Sequence, residues 1–458
     1  MTRDHAIEKA TGLFDGGLFL DRLRGLVTIP TESQVPERSS TLADYLDIGI
    51  APLLAPLGFD LRQFANPAGA GPVLLATRIE DPSRPTILIY GHGDVVREMA
   101  GEWRAGLSAF EVTIEGDRIY GRGTADNKGQ HLINILALGA VLETRGHLGF
   151  NTKIVIEMGE EVGSPGLNAL FQQNPEAFGA DALIASDGGR LSPDRPTVFM
   201  GARGAHTFWL SCSLREAGRH SGNFGGLIPD PGIRLAHAIA SITDARGQIA
   251  VPEWRPDSLT DEIREALAAC PVDASFGADP DWGEEGLTPA ERVWGWNSFA
   301  VLAMTCGAPE APVNAIAGEA RACCQLRFVV GTDADDIVPA LRRHLETQGF
   351  PDVEVTADHE PLFTATRLPL DDPWAERVKT SITQTTGTAP AMLPNLGGSL
   401  PNEMFTETLG LPTVWIPHSY PGCSQHAPDE HLLAPTCRDA LQIMAGVWWD
   451  MGVPPQMA

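Results

Sequence analysis

Three hydrophobic runs in this chain each break off directly into side chains that bind cations. Pro85–Tyr90 leads into Gly91-His92-Gly93-Asp94, Lys153–Met158 into Gly159-Glu160-Glu161, and Ala182–Ala185 into Ser186-Asp187-Gly188-Gly189. In an α/β sheet, ligand-binding side chains gather outside the carboxyl ends of the strands, so three such endings can deliver His92, Glu160, Glu161 and Asp187 into one crevice. Between the first two runs lies the glycine-rich stretch Gly121–Gly129, which carries Asp126 and precedes a helical segment. Far downstream, Cys423-Ser424-Gln425-His426-Ala427-Pro428 adds a second histidine in loop-like sequence.

The ligand types narrow the metal. Two imidazoles and three carboxylates without clustered thiolates suit zinc, with manganese and cobalt as alternatives, and not copper(I) or an iron–sulfur cluster. A catalytic zinc usually takes three protein ligands and keeps one position open, so five groups are too many for one ion. They fit two cations sharing a bridge. Such a pair, about 3.5–4 Å apart, can hold a hydroxide between the ions and polarise a carbonyl, which is the chemistry of amide hydrolysis.

Gly91-His92-Gly93-Asp94, Gly121–Gly129, Gly159–Ser164 and Ser186-Asp187-Gly188, in this order, resemble the M20 metallopeptidase family. That family includes carnosinase-type dipeptidases, aminoacylases, succinyl-diaminopimelate desuccinylase and carboxypeptidase G. His220–Gly226 resembles the carnosinase-like branch, and Val313–Ala320 resembles a segment of the family's lid domain. The resemblance covers most of the chain. It implies that His92 and Asp187 hold one cation, that Glu161 and His426 hold the other, and that Asp126 bridges them. Asp94 would orient His92 through its second ring nitrogen. Glu160, left without a metal, would act as general base on the metal-bridging hydroxide's parent water. His220 would reach across a dimer interface as an oxyanion donor, with Asn314, Asn395, Gly398 and Ser399 as substrate contacts.

Each residue also has an ordinary reading. Asp126 can cap the helix that follows, Glu160-Glu161 can be a solvated acidic pair, and Ser186–Gly189 is common turn chemistry. His220 is by default a surface histidine. Asn395 stands where carnosinase-like relatives carry an arginine that grips the substrate carboxylate. Unless Arg203 or Arg327 supplies the missing cation, two readings stay open: a substrate without a free carboxylate at that place, or a shifted alignment in a Pro/Gly-rich loop.

The order of elements predicts an α/β catalytic domain, a mixed sheet flanked by helices, interrupted by a smaller α+β lid and dimerisation domain. The expected boundaries are 1–202, 203–360 and 361–458, with hinges near Gly204 and Leu362. Helices are expected over Ile7–Leu26, Thr41–Leu57, Lys128 to about Thr144, and Ala334–Gln348. At 458 residues the chain exceeds the size at which single cores stop growing. The net charge of −26 repels nucleic acid and anionic membranes. Met1–Ala10 lacks an apolar signal region, and no apolar run reaches membrane-spanning length. Seven cysteines without a CxxC pair argue against a disulfide framework and for a reducing compartment, so a cytoplasmic location is expected.

The expected activity is hydrolysis of a small peptide-like or N-acyl amide bond, first a dipeptidase and second an N-acyl-amino-acid deacylase. A ligand-binding homologue without activity is the reading from another class.

Overall fold

The computed structural model describes residues 2–272, 277–358 and 363–454. The chain divides into two compact units, one of residues 1–201, 368–394 and 401–458, the other of residues 202–367 and 395–400. The segment 395–400 therefore packs with the second unit, whereas the sequence reading put it in the third stretch. Its physical reason is arginine: Arg203 Nε donates to the Gly397 carbonyl at 2.7 Å and Arg327 Nη1 to Ser399 Oγ at 2.6 Å. The expected hinge at Leu362 lies outside the described residues.

The first unit is built on an eight-stranded mixed sheet flanked by helices. Its spatial order is Asp60–Phe64, Val73–Arg78, Asn151–Glu157, Thr86–His92, Ala182–Ala185, Thr413–Trp415, Thr197–Phe199, Ala391–Leu393. The four central strands run parallel, with Leu88 opposite Lys153 on one side and Leu183 on the other. Strands covered on both faces read as continuous apolar runs. Ala182–Ala185 is buried throughout, and so is all of Thr86–His92 after its first residue.

Helix Lys128–Arg145 is buried around most of its circumference and shares a core with Ala434–Met451 and Arg3–Asp15. It stops at Gly146, whose φ of 84° suits a residue without a Cβ. The single helix expected over Ile7–Leu26 is two, Arg3–Asp15 and Leu18–Val27, because Gly17 takes a left-handed φ of 83° between them. The helix expected over Thr41–Leu57 forms as one stretch of right-handed helical backbone, Ser39–Asp44 continuing through Tyr45–Ile50, Ala51–Leu54 and Ala55–Leu57, and it ends at Gly58, where φ is 77°.

The second unit carries a four-stranded antiparallel sheet, ordered Ser298–Cys306, Glu319–Phe328, Gly204–Ser213, Val353–Ala357. Helices Pro231–Ile242 and Ile337–Thr347 contribute to the core built around it. Asp230 caps the first of these by accepting from the Gly232 and Ile233 amides, with Pro231 at the first helical position. The strand Ser298–Cys306 was not foreseen. It lies on the sheet edge and is exposed nearly throughout, so it lacks the buried alternation that marks a strand in sequence.

Candidate metal centre

The parallel strands of the first unit bring four of the expected side chains to one edge. His92 is the last residue of Thr86–His92, Glu160 and Glu161 form a 3-10 turn just past Asn151–Glu157, and Asp187 follows Ala182–Ala185 by two residues. Asp126 and His426 come from loops. At Gly123 in the Asp126 loop φ is 86°, and a Cβ there would lie 2.9 Å from Lys128 Cδ. The helix after this loop is capped at Asn127 without a side-chain hydrogen bond, so the capping reading of Asp126 does not hold.

The side chains converge in two groups that share one member. His92, Asp126 and Asp187 offer ligand atoms all within 4.8 Å of one another, and so do Asp126, Glu161 and His426. His92 Nε2 lies 3.0 Å from Asp126 Oδ1 and 3.4 Å from Asp187 Oδ2. His426 Nε2 lies 3.0 Å from Asp126 Oδ2 and 2.9 Å from Glu161 Oε2. Each imidazole nitrogen thus faces two carboxylate oxygens, and Asp126 turns one oxygen to each group. The first group is buried, whereas the His426 side chain is 57% exposed, which leaves its group open to solvent.

Asp94 faces the second ring nitrogen of His92 with both its main chain and its side chain. His92 Nδ1 is 3.2 Å from the Asp94 backbone carbonyl and 3.5 Å from its carboxylate, so the main chain provides the closer acceptor. The Asp94 carboxylate also accepts from the backbone amides of Glu160 and Glu161, at 3.1 Å each. One buried aspartate therefore fixes both adjacent glutamates. Among the described residues, no hydrogen bond or ion pair engages the Glu160 carboxylate itself.

The charges of the cluster do not balance. Asp126, Glu160, Glu161 and Asp187 surround two imidazoles. Burial raises Glu160 well above the usual carboxylate range; His92 opposes this while Glu161, Asp187 and Asp126 add to it. Burial and the neighbouring Asp126 push Glu161 up to about 7. Burial would also raise Asp126, but hydrogen bonds from His426 and His92 outweigh it and hold that carboxyl low. The imidazoles respond in the opposite sense, His426 being pushed up to about 11 by Asp126 and Glu161. An excess of converging carboxylates around neutral-capable nitrogens is the donor set of a pair of divalent cations, and these residues fit one.

The remaining expected residues lie in the second unit, in two places. His220 and Asn314 are neighbours: Arg219–His220 pairs with Ala315–Ile316, and the Ser221 amide donates to the Asn314 carbonyl at 2.9 Å. His220 is exposed, and its Nδ1 accepts from the Gly222 amide at 3.1 Å, so the neutral ring carries its proton on Nε2 as an outward donor. Asn395, Gly398 and Ser399 share a loop with three guanidinium groups, since Arg367 Nη2 donates to Asn395 Oδ1 at 3.1 Å beside Arg203 and Arg327. Burial lowers Arg203 to about 9, with Arg327 adding to the effect, and burial alone lowers Arg367 to about 10.

Sequence reasoning passed over Arg367 and Glu430. Glu430 is buried and receives the amides of Gly123, Ala125 and Asp126. Its only signal in sequence is an acidic pair, Asp429-Glu430, shortly after His426, and Arg367 has none.

Residues 88–450 match the peptidase family M20/M25/M40. The chain is 28% identical over 381 residues to a Beta-Ala-His dipeptidase of Homo sapiens, across 79% of this chain and 74% of that one. It is 28% identical over 327 residues to a cysteinylglycine-S-conjugate dipeptidase of Corynebacterium striatum, across 68% and 69%. The crystal structure of an M20 family metallo-carboxypeptidase from Sulfolobus solfataricus is similar with a TM-score of 0.82 and 25% identity, covering 95% of this chain and 99% of that one.

Proposed function

The chain belongs to peptidase family M20/M25/M40, and from that premise we propose that it is a dipeptidase working with two divalent cations, zinc first and manganese or cobalt as alternatives. The observation that carries this reading is the sharing of Asp126 between two three-residue groups of metal-ligand type. His92, Asp126 and Asp187 would hold one cation, and Asp126, Glu161 and His426 the other. When bound, such a pair supplies Lewis acidity to the scissile carbonyl and lowers the pKa of water.

The protein's own residues do the rest. Glu160 takes the proton of the attacking water and later gives it to the leaving amine as the carbon–nitrogen bond breaks. Its carboxylate is unengaged while its backbone is pinned by Asp94, so it is held in place with its acceptor oxygens available. His220, with its proton on Nε2, donates to the carbonyl oxygen as charge builds there. In this reading residues 203–360 are a lid and dimerisation domain, and His220 serves the partner's site within a homodimer. The edge strand Ser298–Cys306 supports that role, because it exposes Val301, Leu302 and Met304 beside unpaired backbone groups.

Relatives named as dipeptidases favour a dipeptide substrate over an N-acyl amino acid. Three guanidiniums around the Asn395–Ser399 loop, buried at Arg203 and half-buried at Arg327 and Arg367, favour a free carboxylate on that substrate, bound there by Arg367 and its neighbours in place of the arginine that Asn395 replaces. A cytoplasmic location is proposed with it. No described helix is long and apolar enough to cross a membrane.

The test is metal analysis of the purified protein followed by a panel of free-acid dipeptides, their amides and N-acyl amino acids. Free-acid dipeptides should be hydrolysed fastest, and Arg367→Met should raise their KM while leaving that of the amides unchanged. Preference for N-acyl amino acids, or equal turnover of acids and amides, would overturn the substrate assignment.

A further inference from the structure

Two loops carry the ligands that the sheet does not, and one buried carboxylate joins them. Glu430, four residues after His426, is 1% exposed. Its Oε1 accepts from the amides of Gly123 at 3.0 Å, Ala125 at 2.9 Å and Asp126 at 3.1 Å. Its Oε2 accepts from Arg122 Nη1 at 2.8 Å, and Arg122 is itself fully buried. The backbone joins the two loops along the same seam, with the Gly121 amide on the Glu430 carbonyl at 3.0 Å, and the loop of His426 closes on itself through the His431 amide on the Cys423 carbonyl at 2.9 Å. Convergent backbone amides of this kind form an anion-binding concavity. Here the anion is the protein's own side chain, drawn from the other ligand-bearing loop.

The two metal groups depend on this seam unequally. His92 and Asp187 sit at the ends of hydrogen-bonded parallel strands, so the sheet places them whatever Glu430 does. Glu161 follows a strand and has its amide on Asp94. His426 has no such support. It lies in a loop with a left-handed φ of 58°, and its imidazole is mostly exposed. Asp126 takes its backbone position from the three-amide cradle. The group of Asp126, Glu161 and His426 thus draws two of its three ligands from the clasped loops, and the other group draws one.

We propose that Glu430 is a positioning residue that sets the distance between Asp126 and His426, and thereby controls affinity for the cation held with Glu161 while largely sparing the one held with His92 and Asp187. The inference rests on the two-cation reading above. Glu430→Asp keeps the charge but falls one methylene short of the amides. Glu430→Gln keeps an acceptor oxygen for them but leaves Arg122 facing a neutral amide.

The test uses the full chain stripped of metal and titrated with cobalt(II), followed by calorimetry and visible absorption, with His426→Ala as the reference for which binding event belongs to which group. Removing a residue that orients metal ligands typically costs about 10–100-fold in metal affinity. The event abolished by His426→Ala should weaken by that factor in Glu430→Asp, and to a smaller extent in Glu430→Gln, while the other event stays within about threefold. If Glu430→Asp does not fold, Glu430→Gln carries the same comparison. Equal weakening of both events, or loss of thermal stability with both affinities unchanged, would overturn the positioning role. A wild-type chain that binds fewer than two cobalt ions would instead overturn the two-cation reading.

Discussion

Glu160→Gln is the substitution that separates chemistry from metal binding at this site. The amide has nearly the shape of the carboxylate, and the backbone amide of residue 160 keeps its bond to Asp94. No described partner loses a hydrogen bond, because the Glu160 carboxylate engages none. Removing one negative charge from beside Glu161, Asp187 and Asp126 relieves repulsion, so the fold should not be weakened. A general base contributes about 10²–10⁴-fold to a rate. The structure points to the upper part of that range, because the nearby Asp94 has both carboxylate oxygens committed to backbone amides and cannot take over. A loss of three to four decades in kcat corresponds to about 4–5.5 kcal/mol of transition-state stabilisation. KM should move little, since the lost interaction belongs to the transition state. The assay is initial-rate kinetics on a free-acid dipeptide, with metal content by mass spectrometry and a melting curve on the same sample. Turnover within about tenfold of wild type at full metal content would remove Glu160 as the base, and loss of metal would make it a ligand.

Two further outcomes follow from the same geometry. In chelator-treated protein at neutral pH the His426 imidazole keeps its proton, being pushed up to about 11, and a cation must displace that proton to bind. Metal loading at pH 7 should therefore release protons, and affinity should fall as pH is lowered; calorimetry in buffers of different ionisation enthalpy showing no release would contradict the ion pairs with Asp126 and Glu161. Mixing inactive His220→Ala with inactive Glu160→Ala subunits should restore part of the activity through hybrid dimers, and absence of recovery despite demonstrated subunit exchange would count against His220 acting on the partner.

The sequence alone determined where the chemistry-bearing residues begin. Apolar runs that stop at His92, at Glu160-Glu161 and at Asp187 are legible because a buried strand must be apolar along its length, and the first polar residues after it mark its carboxyl end. Helix limits were less legible. Glycine at position 17 breaks an amphipathic pattern through a backbone preference that periodicity does not weigh. Tertiary structure alone decided which partners the charged groups find. Asp94 turned its carboxylate to the Glu160 and Glu161 amides, Arg367 met Asn395, and Glu430 crossed to the loop of Asp126. Such pairings join residues up to about three hundred positions apart, as between Glu430 and Asp126. No local pattern encodes them. They arise because a buried charge must find a partner, and only the packed chain settles which one is within reach.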